Sequence, residues 1–289
     1  MKTFFPIHRL RRNSRIKQTV AEETPTPAKP AFEGAEPRGW DSRAILIGLM
    51  MPTVMVVLSA SMFTVALPAI RDSFDAQADL VAWIVTGYSL SFVIFMPLYG
   101  RLGDGLGKRR LFLVGIIIFL IGTCISFIAP DLRILVIGRV IQGAGAASII
   151  PLAIAIISEL FSVSQRGKAL GTWNSIGPAA RIAGPLVAGL LIAVWDWRTI
   201  FAPPFVVGLL ALLAVRRCLP PVRGSAQPGF LHSFDWGGVA LLSAGVITLL
   251  FYVSSRPITG APPLQDWRLL TTALLLIGGF ILWERRQTS

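Results

Sequence analysis

Eight stretches of apolar residues, most of them about 20 residues long, alternate along the chain with short polar segments. About 20 apolar residues in a helix cross the ~30 Å hydrocarbon core of a bilayer. Lipid offers no hydrogen bonds, so each crossing must pair its backbone amides internally, as a helix does. The pattern therefore predicts an all-α, polytopic membrane protein with eight transmembrane helices, at residues 44–70, 80–99, 111–129, 132–157, 169–194, 199–215, 236–254 and 269–283.

The eighth stretch, residues 269–283, is the shortest of the set. At 1.5 Å per residue it spans only about 22 Å as a helix. A helix of this length must thin the bilayer, let its flanking residues snorkel to the headgroups, or extend past Arg268.

Composition divides the chain into four segments. Residues 1–42 form a basic tail, expected to be disordered and cytoplasmic, without the apolar core and cleavage site of a secretory signal. Residues 43–215 hold six of the predicted helices. Residues 216–235, rich in Pro, Gly and Ser, are expected to be a cytoplasmic linker. Residues 236–289 hold two additional helices and a short C-terminal tail.

Charge in this chain lies mainly between the apolar stretches. The chain is 54% apolar and 15% charged, with a net charge of +12. No basic helix with base-reading side chains accompanies that charge, so the expected partner is the lipid bilayer and not nucleic acid.

With a cytoplasmic N-terminus, twenty Lys and Arg fall on the cytoplasmic side and five on the other. This asymmetry predicts a multi-pass protein of the plasma membrane, in a bacterium the inner membrane.

Two arginines, Arg139 and Arg181, fall well inside predicted helices, at least seven residues from either end. A guanidinium at the bilayer centre costs about 2.5–3.5 kcal/mol even on the lenient insertion scale. Each is therefore expected to face the bundle interior or an aqueous cavity and to have a partner.

A glycine-rich basic segment joins the second and third apolar stretches. Residues 100–110 read G-R-L-G-D-G-L-G-K-R-R, which predicts a tight cytoplasmic loop held at the headgroups by its cations, with Asp104 against a helix N-terminus. Any short cytoplasmic loop can be basic and glycine-rich, but the full order of residues resembles the signature loop of the major facilitator superfamily, G-x-L-x-D-x-x-G-R/K-R/K. The resemblance implies a gating role for Gly100, Asp104, Gly107, Lys108 and Arg109.

The fourth stretch places Arg139, Gln142 and Gly143 on one helical face, with small residues a turn further on. This run resembles the R-x-x-Q-G-x-G-A motif of the same superfamily. The resemblance implies that Arg139 influences proton transfer and that Gln142 accompanies it. The alternative is that Arg139 only makes a stabilising pair within the bundle.

The fifth stretch carries two Gly-Pro pairs seven residues apart, about two helical turns. It resembles the superfamily's antiporter motif, which implies a bent helix closing one side of a cavity; plain helix packing is the alternative. The motif residues are Gly177, Pro178, Gly184, Pro185 and Gly189. The same spacing predicts one small-residue stripe made of Gly177, Arg181, Gly184 and Ala188.

The first stretch ends L-S-A-S-M-F-T-V-A-L-P at residues 58–68. It resembles L-D-x-T-I-V-N-V-A-L-P, the mark of the 14-helix drug/proton antiporter branch, in which two extra helices follow the first six. Ser59 stands where that branch has aspartate, the natural proton carrier and cation attractor within a membrane.

Arg181 also departs from the small or apolar residue usual at its position. It is expected either to attract an anionic substrate group or to pair with an acid elsewhere.

Together these motifs imply the N-terminal portion of a secondary active transporter, without cofactor or metal, that exports small hydrophobic or amphipathic compounds by proton antiport. Ser59, Arg139, Gln142 and Arg181 are the expected proton-coupling or cavity residues. The chain supplies one six-helix half, so a missing C-terminal half or a full-length relative is the expected partner. The alternative is a truncated, non-transporting membrane protein that associates with such a relative. An enzyme is not expected, because HExxH is absent and His8 and His232 lie outside the apolar stretches.

Overall fold

The computed structural model describes residues 41–220, 236–253 and 266–287. Most of the predicted tail (1–42) and of the predicted linker (216–235) lies outside the described residues. The described part is helical throughout and contains α1 Ser42–Ser73, α2 Ala78–Leu106, α3 Lys108–Phe127, α4 Leu132–Ala146, α5 Ile149–Leu160, α6 Val163–Val194, α7 Ala202–Cys218, α8 Trp236–Val253 and α9 Trp267–Gln287, with a 3-10 turn at Trp197–Phe201.

The all-α prediction is confirmed, and six spans of the described chain are long and apolar enough to cross a membrane. These spans are Ser42–Ser73, Val81–Leu106, Lys108–Phe127, Leu132–Leu160, Val163–Val194 and Trp197–Cys218. The last two helices carry shorter apolar stretches, Gly237–Leu249 and Trp267–Trp283. That these two helices cross the membrane stays a prediction. The 21 residues of α9 begin before Arg268 and measure about 31 Å, so the eighth stretch does extend past that arginine.

The six spans run alternately up and down, which gives the bundle two distinct ends. At one end, Arg109 at the start of α3 donates through Nη2 to the carbonyl oxygen of Arg216 in α7 at 2.8 Å. At the other end, Arg198 pairs with Asp196 at 2.9 Å and donates to the carbonyl oxygen of Ala129 at 3.2 Å. An ion pair therefore fixes this second turn.

The fourth predicted helix, residues 132–157, is not continuous: it breaks at Ala147 and Ser148 into α4 and α5. Pro151 has no N–H, so the Ala147 carbonyl loses its ordinary helical donor. The Ser148 hydroxyl in turn donates to the Gly145 carbonyl oxygen at 2.8 Å, which competes with regular helix bonding. The prediction missed this break because apolar periodicity continues across it.

Helices α3 and α4 approach each other closely because glycines meet on both. A Cβ added to Gly145 would lie 2.6 Å from the Gly115 carbonyl oxygen, and one added to Gly138 would lie 2.8 Å from the Ser126 backbone nitrogen. Apolar side chains fill the two ends of the bundle, in one cluster that includes Phe112 and another that includes Phe201. The buried polar side chains described below lie between these clusters.

The predicted loop at 100–110 is wrong in its extent. Helix α2 continues to Leu106 and α3 begins at Lys108, so the turn is the single residue Gly107, at φ 95°. Asp104 lies in the last turn of α2, where its carboxylate contacts Lys108 Nζ at 3.3 Å and does not cap a helix N-terminus. Most of the motif is therefore helical.

Replacing Gly107 by Ala is expected to destabilise the folded chain, because a side chain in the left-handed region costs about 1–2 kcal/mol. Gly100 is the matched control: it lies inside α2 with open space around it, and alanine there is expected to be neutral or stabilising. Thermal unfolding of the two purified variants in detergent measures the difference. Equal melting temperatures for Gly107→Ala and Gly100→Ala would contradict the one-residue turn.

Candidate functional site

Arg139 of α4 is buried in the middle of the bundle, with 2% of its surface exposed. Its guanidinium lies between two aromatic rings, Phe63 of α1 and Tyr88 of α2. The Cζ atom is 4.1 Å from each ring centroid. A cation over the faces of aromatic rings is attracted by their quadrupoles, and more strongly when water is excluded.

Gln142 connects this guanidinium to two other helices. Its Oε1 accepts a hydrogen bond from Arg139 Nη1. Its Nε2 donates to Ser59 Oγ of α1 at 3.1 Å and to Thr123 Oγ1 of α3 at 2.9 Å. The Thr123 hydroxyl in turn donates to the Phe119 carbonyl oxygen at 2.8 Å. The amide therefore uses both its acceptor and its donors, and it joins α1, α3 and α4.

Among the described residues, no carboxylate lies within 4 Å of the Arg139 guanidinium. Two desolvated cation–π contacts contribute about 1–2 kcal/mol each, and a hydrogen bond to a charged group about 1.5–3. Together these are at least as large as the ~2.5–3.5 kcal/mol that insertion of an arginine costs. Nε of Arg139 has no hydrogen-bond partner within the described part of the chain.

Ser59 is the hydrogen-bonded member of this network that α1 contributes. Its hydroxyl is 3% exposed and lies one hydrogen-bonded residue, Gln142, away from Arg139. With serine here, α1 contributes a neutral acceptor and no proton-carrying group.

A cavity of about 550 Å³ lies beside the network, and Tyr88 is part of its wall. Its walls come from α1, α2, α5 and α6, and they are the side chains of Val56, Val57, Ala60, Ser61, Thr64, Tyr88, Ser89, Phe92, Val93, Ile150, Arg181 and Pro185. Those of α1, α2 and α6 lie near the middle of their helices, so the cavity lies at mid-membrane depth. Exposed wall residues such as Thr64 and Val93 show that it is open on one side in the described part.

Arg181 projects into this cavity and is not part of the packed stripe that its spacing predicted. The residues of α6 that are buried against the bundle are Ala169, Trp173, Ala180, Gly184 and Ala188. Arg181 is exposed, and it has neither a hydrogen bond nor an ion pair with any described residue. Arg181 therefore lines a cavity, one of the two settings expected for it, but its expected partner is not among the described residues. Its placement in one packed stripe with Gly184 is wrong.

Some of the antiporter-motif residues pack against another helix, and others lie on open surface. Gly184 is buried against Ser61 of α1, where any Cβ would collide with the serine side chain. Gly177 and Gly189 have open space where a Cβ would be. Helix α6 remains continuous through Pro178 and Pro185, and Pro185 lines the cavity.

The residues predicted to gate lie at the bundle end that contains Gly107. Lys108 Nζ is 3.3 Å from Asp104 Oδ1 and 3.0 Å from Glu159 Oε2, so it joins α2 and α3 to α5. With Arg109 fixed to the α7 backbone, the motif ties four helices together. Nothing in these contacts tests a gating role, which stays a prediction.

Three of the four predicted cavity or coupling residues, Ser59, Arg139 and Gln142, form one network, and Arg181 lies apart from them. Sequence reasoning missed Thr123 and the position of Tyr88 between the arginine and the cavity. A lone hydroxyl within an apolar stretch was the available signal for Thr123. Its partner on α4 is visible only in three dimensions.

Replacing Gln142 by Leu is expected to lower the free energy of unfolding by about 1–3 kcal/mol, because Arg139 Nη1 and Ser59 lose their hydrogen-bond partner and Thr123 keeps only the Phe119 carbonyl. Ser59→Ala is the graded control. It removes one acceptor while Gln142 keeps Thr123 and Arg139, so a smaller loss of about 1 kcal/mol is expected. Detergent-denaturation curves of both variants check the order. A larger loss for Ser59→Ala than for Gln142→Leu would be inconsistent with the bridging position of the amide.

Comparison with known proteins agrees with this architecture. Residues 49–283 match the model of the Major Facilitator Superfamily. The tetracenomycin C resistance and export protein of Streptomyces glaucescens is 32% identical over 91% of this chain and 47% of its own length. The multidrug resistance protein B homolog of Mycobacterium tuberculosis is 30% identical over 95% of this chain and 52% of its own length.

The POT family transporter PepTSo superimposes with a TM-score of 0.58 at 20% identity, over 83% of this chain and 52% of its own. At that identity the likeness concerns the fold alone. The chain spans about half the length of the curated relatives it matches. The family match, which covers most of the chain, makes this protein a member of the Major Facilitator Superfamily of membrane transporters.

Proposed function

We propose that this chain forms the substrate-binding half of a secondary active exporter of small hydrophobic or amphipathic compounds. The observation that carries the proposal is the mid-membrane cavity of about 550 Å³, whose walls are mostly apolar with a few hydroxyl groups. Sites for drug-sized ligands are typically concave, apolar and about 300–1,000 Å³. Secondary transporters of this family hold substrate near the bilayer midplane between two halves that rock against each other.

The relatives support an export role. Those similar to this chain include a tetracenomycin C resistance and export protein and a multidrug resistance protein B homolog. Both names describe handling of small compounds. We extend that role to this chain because its cavity has the size and wall chemistry for such ligands.

The open side of the cavity is the proposed contact with a second six-helix half. Arg181 and Thr64 are exposed near the middle of their helices, where a polar group facing lipid is costly. A second half covering this side would enclose both groups in an aqueous, protein-lined space. That half would come from a further segment or from a full-length relative.

We also propose proton antiport as the coupling, with the proton carrier outside the described residues. In the described part, neither the cavity wall nor the Arg139 network contains a carboxylate. The Arg139 network would respond to the carrier's charge and would not itself carry the proton.

Cells test the export proposal directly. The chain is expressed in an efflux-deficient bacterium, alone and with the carboxyl-terminal half of the tetracenomycin relative, and the accumulation of a panel of fluorescent amphiphiles is measured. The paired halves are expected to lower accumulation of at least one compound several-fold, and a protonophore is expected to reverse the effect. Unchanged accumulation in both strains would contradict export and leave the non-transporting partner as the better account. Export that persists with the protonophore would contradict proton antiport.

We propose further that the N-terminus and the turn at Gly107 face the cytoplasm in the plasma membrane, as the excess of Lys and Arg at that end favours. Single cysteines at positions 110 and 195, both exposed, test this after Cys124 and Cys218 are replaced by Ser. In intact cells a membrane-impermeant maleimide is expected to label position 195 and not position 110. Labelling of both positions, or of 110 alone, would contradict the orientation.

A further inference from the structure

We infer that the cavity selects amphipathic anions: compounds with an apolar body and one carboxylate-like group, bound by Arg181. The inference rests on the proposed export function and names its substrate class. It follows from the geometry of the wall, from the charges around it and from the hydroxyl groups already in use.

Arg181 is placed to bind a ligand. It lies close to the middle of the 32-residue helix α6, and its exposed guanidinium lines the cavity. It makes no hydrogen bond or ion pair with the described residues, so its donors are free to meet a ligand. A planar guanidinium binds carboxylates through two parallel N–H···O bonds, which are stronger than bonds between neutral groups.

The charges around the cavity favour an anion. Arg181 lines the cavity, and a second arginine, Arg139, lies with its Cζ 4.1 Å from the ring centroid of Tyr88, which is itself part of the wall. Among the described residues, no carboxylate lines the cavity or joins the Arg139 network, and α1 presents Ser59 there. Uncompensated positive charge attracts an anionic group and disfavours a cationic one.

Arg181 is the one charged donor among the described wall residues, and the hydroxyls of Tyr88 and Ser89 are neutral donors, which bind a carboxylate less strongly. The hydroxyl of Ser61 donates to the Leu58 carbonyl oxygen at 3.1 Å, and that of Thr64 donates to the Ser61 carbonyl oxygen at 2.8 Å. Because their hydrogens are donated within α1, these two hydroxyls offer a ligand only acceptor oxygens. An acceptor oxygen does not form a hydrogen bond with the oxygens of a carboxylate. Val56, Phe92 and Ile150 supply the apolar surface for the body of the ligand.

A binding experiment on the full chain in lipid nanodiscs tests the inference. The probes are 1-pyrenebutyrate and its uncharged amide, with partition into empty nanodiscs subtracted. The chain is expected to bind the carboxylate about tenfold more tightly than the amide, the size of one good charge-assisted interaction. Arg181→Ala is expected to remove this preference, weakening carboxylate binding about tenfold and amide binding less than twofold. Arg181→Lys is expected to keep part of the preference.

Arg133→Ala is the matched control, because Arg133 is an exposed arginine outside the cavity wall. It is expected to leave both affinities unchanged. Equal affinity of the unmodified chain for carboxylate and amide would overturn the inference, as would an equal loss of both with Arg181→Ala. An effect of Arg133→Ala as large as that of Arg181→Ala would also overturn it, because surface charge would then explain the preference.

This measurement separates the inference from the proposed function, because binding needs neither a gradient nor a second half. Selective binding without export in cells would support the anionic site and contradict the transport proposal. Export without any preference between the two probes would support transport and contradict the anionic site.

Discussion

The constraint on which this bundle depends is the burial of the Arg139 guanidinium within a membrane-spanning segment. Lipid cannot solvate that charge, and the described part of the chain places no carboxylate beside it. Two aromatic faces and one amide oxygen replace the missing anion. These groups come from α1, α2 and α4, and Gln142 brings in α3. Stabilising one charge therefore fixes the mutual positions of four helices.

The two intramembrane arginines meet the same constraint in different ways. Arg139 is enclosed by protein, whereas Arg181 faces the cavity, where solvent or ligand reaches it. Tyr88 belongs to both settings, since one side of its ring covers the Arg139 guanidinium and its side chain forms part of the cavity wall. A ligand against Tyr88 would therefore be close to both positive charges.

Much of the fold was predictable because membrane helices follow a simple rule, that about 20 apolar residues cross the bilayer. The pairing of Arg139 with Gln142 was also predictable, since residues three apart share a helical face. The break at Ser148 depends on one proline and one hydroxyl. Hydrophobicity averaged over a whole apolar stretch does not show the effect of two single residues. Arg181 lies about 60° around α6 from Gly184, enough for its long side chain to leave the packed stripe. Contacts between distant helices, such as Gln142 with Ser59 and Thr123, have no local signal at all.

A double-mutant cycle tests most directly whether Arg139 and Gln142 stabilise the bundle as a pair. Unfolding free energies are measured in detergent for Arg139→Met, for Gln142→Leu and for the double variant. The double variant is expected to lose about 1–3 kcal/mol less than the two single losses added together, because removal of the arginine also removes its need for the amide oxygen. Losses that add to within about 0.5 kcal/mol would mean that the two side chains act independently, which contradicts the account.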